Sequence, residues 1–209
     1  MADLKLISST LIKGDAKGLT ELVQKAVDEE TPPGDILNKS LLPAMDVVGE
    51  RMEDGEMFIP EVLMSAKAMS AALVILKPLL GEGETSSAGR VVIGTVKGDL
   101  HDIGKNLVMM MMESSGFEVI NLGTDIGPED FVRAVKEHKP QFVAMSALLT
   151  TTMTQMEKTI AALKENGLRD QVKVVVGGAP VTKAFTDKIG ADGYAPDAGS
   201  GAKLLKSLL

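Results

Sequence analysis

The sequence predicts an α/β protein in two parts: an N-terminal four-helix bundle, then a Rossmann-like domain on a parallel five-stranded sheet. Three observations carry this. Up to about residue 76, apolar residues recur at spacings of three and four, the period of one helix face. From residue 90, short continuous apolar runs alternate with helical segments, as in βαβ units. Between them lies Gly81-Glu-Gly-Glu-Thr-Ser-Ser-Ala-Gly89, which holds no apolar residue larger than Ala and reads as a linker. The expected boundaries are a bundle over 1–82, a linker over 83–89 and an α/β domain over 90–209.

In the first part, Leu4, Ile7 and Leu11 mark one helix, and Leu19, Leu22, Val23 and Ala26 a second, with Asp15 placed to cap it. Pro32, Pro33, Gly34 and Asp35 punctuate before a third helix bearing Ile36, Leu37, Leu41, Met45, Val48 and Met52. A turn at Glu53-Asp54-Gly55-Glu56 leads to the last helix, which starts near Ile59 and Pro60, where a first turn tolerates proline. Short connections between amphipathic helices imply antiparallel packing.

In the second part, the apolar runs at 91–93, 117–120, 142–145 and 172–176 suit strands buried on both faces. Helical segments are expected near 104–115, 128–138, 152–166, 181–188 and 199–208, with a short fifth strand at Asp192-Gly-Tyr194. Ligands of such sheets bind beyond the carboxyl ends of the strands, so those segments hold the candidate residues.

Composition narrows the chemistry. The net charge of −7 repels phosphate backbones and argues against nucleic acid as a partner. With no cysteine, disulfides, thiolate zinc sites and cysteine-held iron–sulfur clusters are excluded. The first fifteen residues are too polar for a signal peptide, and no apolar run approaches the ~18 residues of a membrane span, so a cytoplasmic protein without a membrane partner is expected.

After the first strand comes Gly94-Thr-Val-Lys-Gly-Asp-Leu-His-Asp-Ile-Gly-Lys-Asn106, which has neither G-x-G-x-x-G nor G-x-x-x-x-G-K-[ST]. It offers Asp99, His101 and Gly104 in a D-x-H-x-x-G pattern. In an extended loop, residues two apart point the same way. Asp99 can therefore hold one imidazole nitrogen while the other stays free for a metal. A lone loop histidine beside an acid is ordinarily just a hydrogen-bonded surface group, and His138 in Glu-His-Lys is read so. After the third strand, Ser146 and the following threonines could simply cap a helix. Gly177 and Gly178 after the fourth allow close backbone approach but also suit a turn. Each signal alone is weak; D-x-H-x-x-G, S-x-L and G-G at the ends of three strands are together specific.

In these motifs the chain resembles the cobalamin-binding proteins, above all the corrinoid proteins of methylamine- and methanol-type methyltransferase systems. It is also similar to the cobalamin-binding region of cobalamin-dependent methionine synthase. The resemblance implies cobalamin, as methylcobalamin or a related corrinoid, bound base-off with His101 as lower cobalt ligand. It implies that Asp99 bonds the far nitrogen and that Ser146 extends this relay towards solvent. Asp102 and Ile103 belong to the same motif, with Gly104 admitting the cofactor edge. Leu148, Thr150, Gly177 and Gly178 would line the slot for the nucleotide tail, and Tyr194 and Ala198 would close around its base. Glu56-Met-Phe-Ile-Pro-Glu61 and Ser65-Ala-Lys-Ala-Met69 resemble the family's cap, with Met52 and Ile59 as the apolar pair over the upper face. Met52 departs from the aromatic of methionine synthase.

The implied function is a methyl carrier between a donor-specific methyltransferase and an acceptor methyltransferase of the tetrahydrofolate or thiol type, serviced by a reductive activation protein. No second constellation of nucleophile, base and pocket is visible, so the chain alone is expected not to turn over methyl donors. A cobalamin-dependent regulator would need a DNA-binding segment, and the first ~85 residues are taken up by the bundle. A carbon-skeleton mutase would place a barrel where the cap matches.

Overall fold

The computed structural model describes residues 3–80 and 88–209, so most of the expected linker lies outside the described residues. The main division of the chain falls between residues 87 and 88.

The first unit holds α1 (Leu4–Ile12), α2 (Ala16–Asp28), α3 (Pro33–Ile36), α4 (Leu42–Glu53) and α5 (Ile59–Leu76). Asp3 caps α1, and Asp15 caps α2 by accepting from Gly18 N–H at 2.9 Å, as its position predicts. Gly14, at φ +71°, turns the chain between α1 and α2. A Cβ there would come within 2.6 Å of Met64 Cβ, so the turn packs directly on α5.

The expected third helix is interrupted. A π-helical segment, Leu37–Leu41, joins α3 to α4. Pro43 has no N–H to give the preceding turn, and the helix widens there instead of breaking. Ser8 Oγ, from α1, donates to the Ser40 carbonyl inside that segment at 3.1 Å.

By length and composition alone, 59–79 could cross a membrane, which corrects the expectation that no such run exists. Small residues such as Ser65, Ala66, Ala68 and Ala72 disguise it in the sequence. Those four are buried together with Val62, Met69 and Leu76, so α5 serves as the core helix of this unit.

The second unit is a five-stranded parallel sheet in the order β2-β1-β3-β4-β5, comprising β1 (Arg90–Val96), β2 (Glu118–Ile126), β3 (Phe142–Ser146), β4 (Lys173–Gly177) and β5 (Gly193–Ala195). Val92 and Val96 of β1 face a core built with α7 (Pro128–His138), α8 (Thr154–Glu165) and α9 (Lys183–Ile189). Val91 and Ile93 face the other core, with Met112 of α6 (Ile103–Ser114) and Leu205 of α10 (Ala198–Ser207). Both faces are covered, which is why the strands read as continuous apolar runs.

β2 is longer than the apolar run at 117–120 implies. It continues through Asn121, Gly123 and Asp125 by slipping register against β1, from Ile93↔Asn121 to Gly94↔Gly123 and then Val96↔Ile126. The slips absorb extra residues, with Gly123 at φ +93° and Asp125 at φ +59°. Turn-like composition hid the second half of this strand, and only its pairing to β1 reveals it.

Candidate functional site

The order 2-1-3-4-5 reverses direction between β1 and β3, and the crevice beyond their carboxyl ends is where such sheets hold ligands. Two loops meet there. The β1–α6 loop carries Asp99, His101 and Asp102 and runs into Ile103 and Gly104, the first residues of α6. The β3–α8 loop carries Leu148, Thr150 and Thr152.

Asp99 joins the two. Its carboxylate is fully buried. Oδ1 lies 2.7 Å from His101 Nδ1 and accepts from His101 N–H at 3.1 Å. Oδ2 accepts from Leu148 N–H at 2.8 Å, Leu149 N–H at 3.2 Å and the Thr152 hydroxyl at 2.9 Å. Burial alone would raise the Asp99 pKa. The hydrogen bonds from Leu148, the His101 ring and N–H, and Thr152 outweigh it and hold the carboxyl well below the usual range. An ionised Asp99 accepts from Nδ1–H and so fixes the tautomer that leaves Nε2 with a lone pair. The His101 side chain is 52% exposed, and among the described residues Nε2 makes no hydrogen bond.

The loop is held in place from β1 and β2. Thr95 Oγ1 donates to the His101 carbonyl at 2.9 Å. Gly98 N–H donates to Asp125 Oδ1 at 2.7 Å, and Asp125 N–H to the Asp99 carbonyl at 3.0 Å. Gly98 stands at φ +81°, a turn that glycine makes without strain.

The hydroxyl that bonds the Asp99 carboxylate is that of Thr152, at 2.9 Å. Ser146 is the last residue of β3, in register with Thr95, and among the described residues it makes no hydrogen bond to Asp99. The turn after β3 brings the hydroxyl six positions later to the carboxylate instead. Neither Thr152 nor Asp125 stood out in the sequence. A threonine in a polar triplet and an aspartate in a turn-like stretch carry no local signal of a partner so far along the chain.

Gly177 and Gly178 lie at the end of β4. A Cβ on Gly178, at φ +122°, would fall 1.9 Å from the Ala147 carbonyl oxygen, and one on Gly177 would be 3.0 Å from the Ala195 oxygen. The pair thus lets the β4 loop press against the loops beyond β3 and β5. Tyr194 lies in β5, and Ala198 opens α10. Met52, partly buried on α4, and Ile59, 51% exposed at the start of α5, belong to the first unit.

A flat, metal-centred group suits this donor set. The loops around the histidine expose Leu100, Ile103, Leu148 and Leu149, apolar side chains that would be covered by a large ring system. At Gly104 an added Cβ would meet nothing within 4 Å, so packing within the protein does not require the glycine there.

Comparison with known proteins agrees with this chemistry. Residues 89–202 match a family described as B12 binding domain, and residues 4–77 match a second family of the same description. The dimethylamine corrinoid protein of Methanosarcina barkeri is 44% identical over 207 residues, covering 99% of this chain and 97% of that one. A cobalamin-binding protein from Desulfitobacterium hafniense has a solved structure with TM-score 0.87 and 34% identity, covering 100% of both chains. In the methanol:cobalamin methyltransferase complex from Methanosarcina barkeri, one chain matches at TM-score 0.85 and 30% identity, covering 97% of this chain and 77% of that one.

Proposed function

The chain belongs to the B12-binding corrinoid proteins, and from that premise we propose that it is the methyl-carrying subunit of a multi-component methyltransferase system. The observation that carries this reading is the His101–Asp99 pair. An imidazole whose Nδ1 is held by a buried carboxylate keeps a bare, half-exposed Nε2 among apolar side chains.

In this reading His101 Nε2 would hold the cobalt of a base-off corrinoid, taking the role of the cofactor's own nucleotide base. When bound, the corrinoid supplies a metal that accepts a methyl group from one partner's substrate and yields it to another's. The residues of the chain do the rest. Asp99 and Thr152 orient the imidazole and govern how strongly it donates, because a proton entering this network would loosen the ligand. Asp102, Ile103 and Gly104 would border a bound corrin ring; Leu148, Thr150, Gly177 and Gly178 would line the slot for its nucleotide tail, and Tyr194 and Ala198 would close around its base.

The named relatives point to a small methylated amine or alcohol as the donor class. A donor-specific methyltransferase, an acceptor methyltransferase of the tetrahydrofolate or thiol type, and a reductive activation protein complete the proposed system. With α5 accounted for as a core helix, the proposed location is the cytoplasm.

The test is spectroscopic. Protein loaded with cobalamin and reduced to cobalt(II) should show, by electron paramagnetic resonance, a single axial nitrogen whose splitting changes when histidine is labelled with 15N. His101→Ala should abolish that nitrogen and weaken binding, and His138→Ala should do neither. A wild-type signal from the nucleotide base, unaffected by the label, overturns the ligation.

A further inference from the structure

Lys105 lies two residues inside α6, yet it is only 3% exposed. A lysine so buried ordinarily needs a carboxylate partner. Among the described residues Lys105 forms no ion pair. Its ammonium donates instead to two amide oxygens, Asn106 Oδ1 at 2.7 Å and Asn121 Oδ1 at 2.8 Å. Burial pulls its pKa down, and the charge of Asp102 acts against that pull. On stability alone, an apolar side chain of the same length would serve at least as well here, because a buried charge is weakly rewarded. What the charge adds is a fixed geometry.

The two amides show what that geometry holds. Asn106 Nδ2 donates to Asp102 Oδ2 at 3.1 Å, so it grips the residue next to His101. Asn121 sits at the first register slip of β2, where its Oδ1 also accepts from Gly123 N–H at 3.0 Å. The ammonium therefore ties the closing end of the histidine loop to the slipped part of β2. The same strand holds the opening end, through Asp125 and Gly98. Both ends of the loop are referred to one strand, with His101 between them.

We propose that Lys105 is a positioning residue: its ammonium clamps the closing end of the 97–102 loop to Asn121 of β2 and so sets the pose of the His101 imidazole. The clamp itself is a property of the chain; its consequence for cobalt rests on His101 being the ligand.

The experiment uses full-length protein in two states. In the cofactor-free state, amide hydrogen exchange is followed at His101 and, as reference, at Val143 and Val175 in the sheet. In the cobalamin-loaded, cobalt(II) state, the fraction with histidine nitrogen bound is read by electron paramagnetic resonance. Lys105→Met keeps length and removes the charge. Asn121→Leu breaks the same bridge from the other side and stands in should the first variant not fold. Asn121→Asp keeps an acceptor opposite the ammonium.

Lys105→Met and Asn121→Leu should speed exchange at His101 by at least about tenfold, as the loss of a charged hydrogen bond implies, and lower the histidine-bound fraction. The sheet amides should change by less than about twofold, and Asn121→Asp should stay near wild type. Unchanged exchange at His101 in both disrupting variants overturns the clamp. So does equal acceleration at His101 and the sheet, which marks general destabilisation. If wild type shows no histidine nitrogen, the ligand reading fails, and exchange in the cofactor-free state still decides the clamp.

Discussion

At Asp99 a carboxylate with no solvent exposure keeps its charge because protein donors surround both oxygens. The Thr152 hydroxyl is one of them, the only side-chain donor to Oδ2 among the described residues, beside the Leu148 and Leu149 N–H groups. Thr152→Val, nearly isosteric, should cost about 1.5–3 kcal/mol of stability in urea titrations of the cofactor-free protein, with Thr152→Ser recovering most of it. The same carboxylate gives a pH dependence of known sign. Its folded pKa is depressed, so the stability it contributes is whole above about pH 4 and shrinks as the pH falls below that. Asp99→Asn, which cannot titrate, should therefore show a smaller loss of urea midpoint on acidification below pH ~4 than wild type. A parallel loss in both proteins would show that the acid sensitivity arises elsewhere.

Among the loops beyond the strands, two glycines of the family motifs behave oppositely. Gly178 combines φ +122° with an ideal Cβ position 1.9 Å from the Ala147 oxygen. Gly178→Ala should therefore destabilise by about 4 kcal/mol or more, enough to detect as lost soluble expression or a collapsed melting temperature. Gly104 faces open space in a helical turn, so Gly104→Ala should leave the cofactor-free protein within about 1 kcal/mol of wild type, if anything more stable. Cobalamin titration should then reveal a weakened affinity if the cofactor edge passes that backbone. Unimpaired binding by Gly104→Ala would remove Gly104 from the proposed site. The contrast separates a glycine that the fold requires from one that packing within the protein does not.

For the molecule as a whole, the proposed carrier role makes a prediction about company. Reduced, cobalamin-loaded protein incubated with methylamines or methanol should remain unmethylated, as followed by its absorption spectrum. Addition of a cognate methyltransferase should produce methylation within the assay. Demethylation of a physiological donor by the isolated chain, at a rate comparable to that of the reconstituted mixture, would make it an enzyme in its own right and end the carrier reading.

Local periodicity and local spacing were legible in the sequence. The helices of the first unit and the alternation in the second follow from residues that report their own burial, whatever packs against them. The pairing of Asp99 with His101 is also local, since two residues apart in an extended loop suffices to aim both side chains alike. Tertiary structure alone decided which groups complete the site. Thr152 reaches Asp99 across 53 positions, Asp125 reaches Gly98 across 27, and Lys105 reaches Asn121 across 16. Those meetings depend on β1 lying between β2 and β3 and on the register slips of β2, neither of which leaves a mark in side-chain periodicity. The widened turn before Pro43 and the burial of α5 were hidden for the same reason. A hydrogen bond or a packed face is a relation between segments, and a single sequence records only the segments.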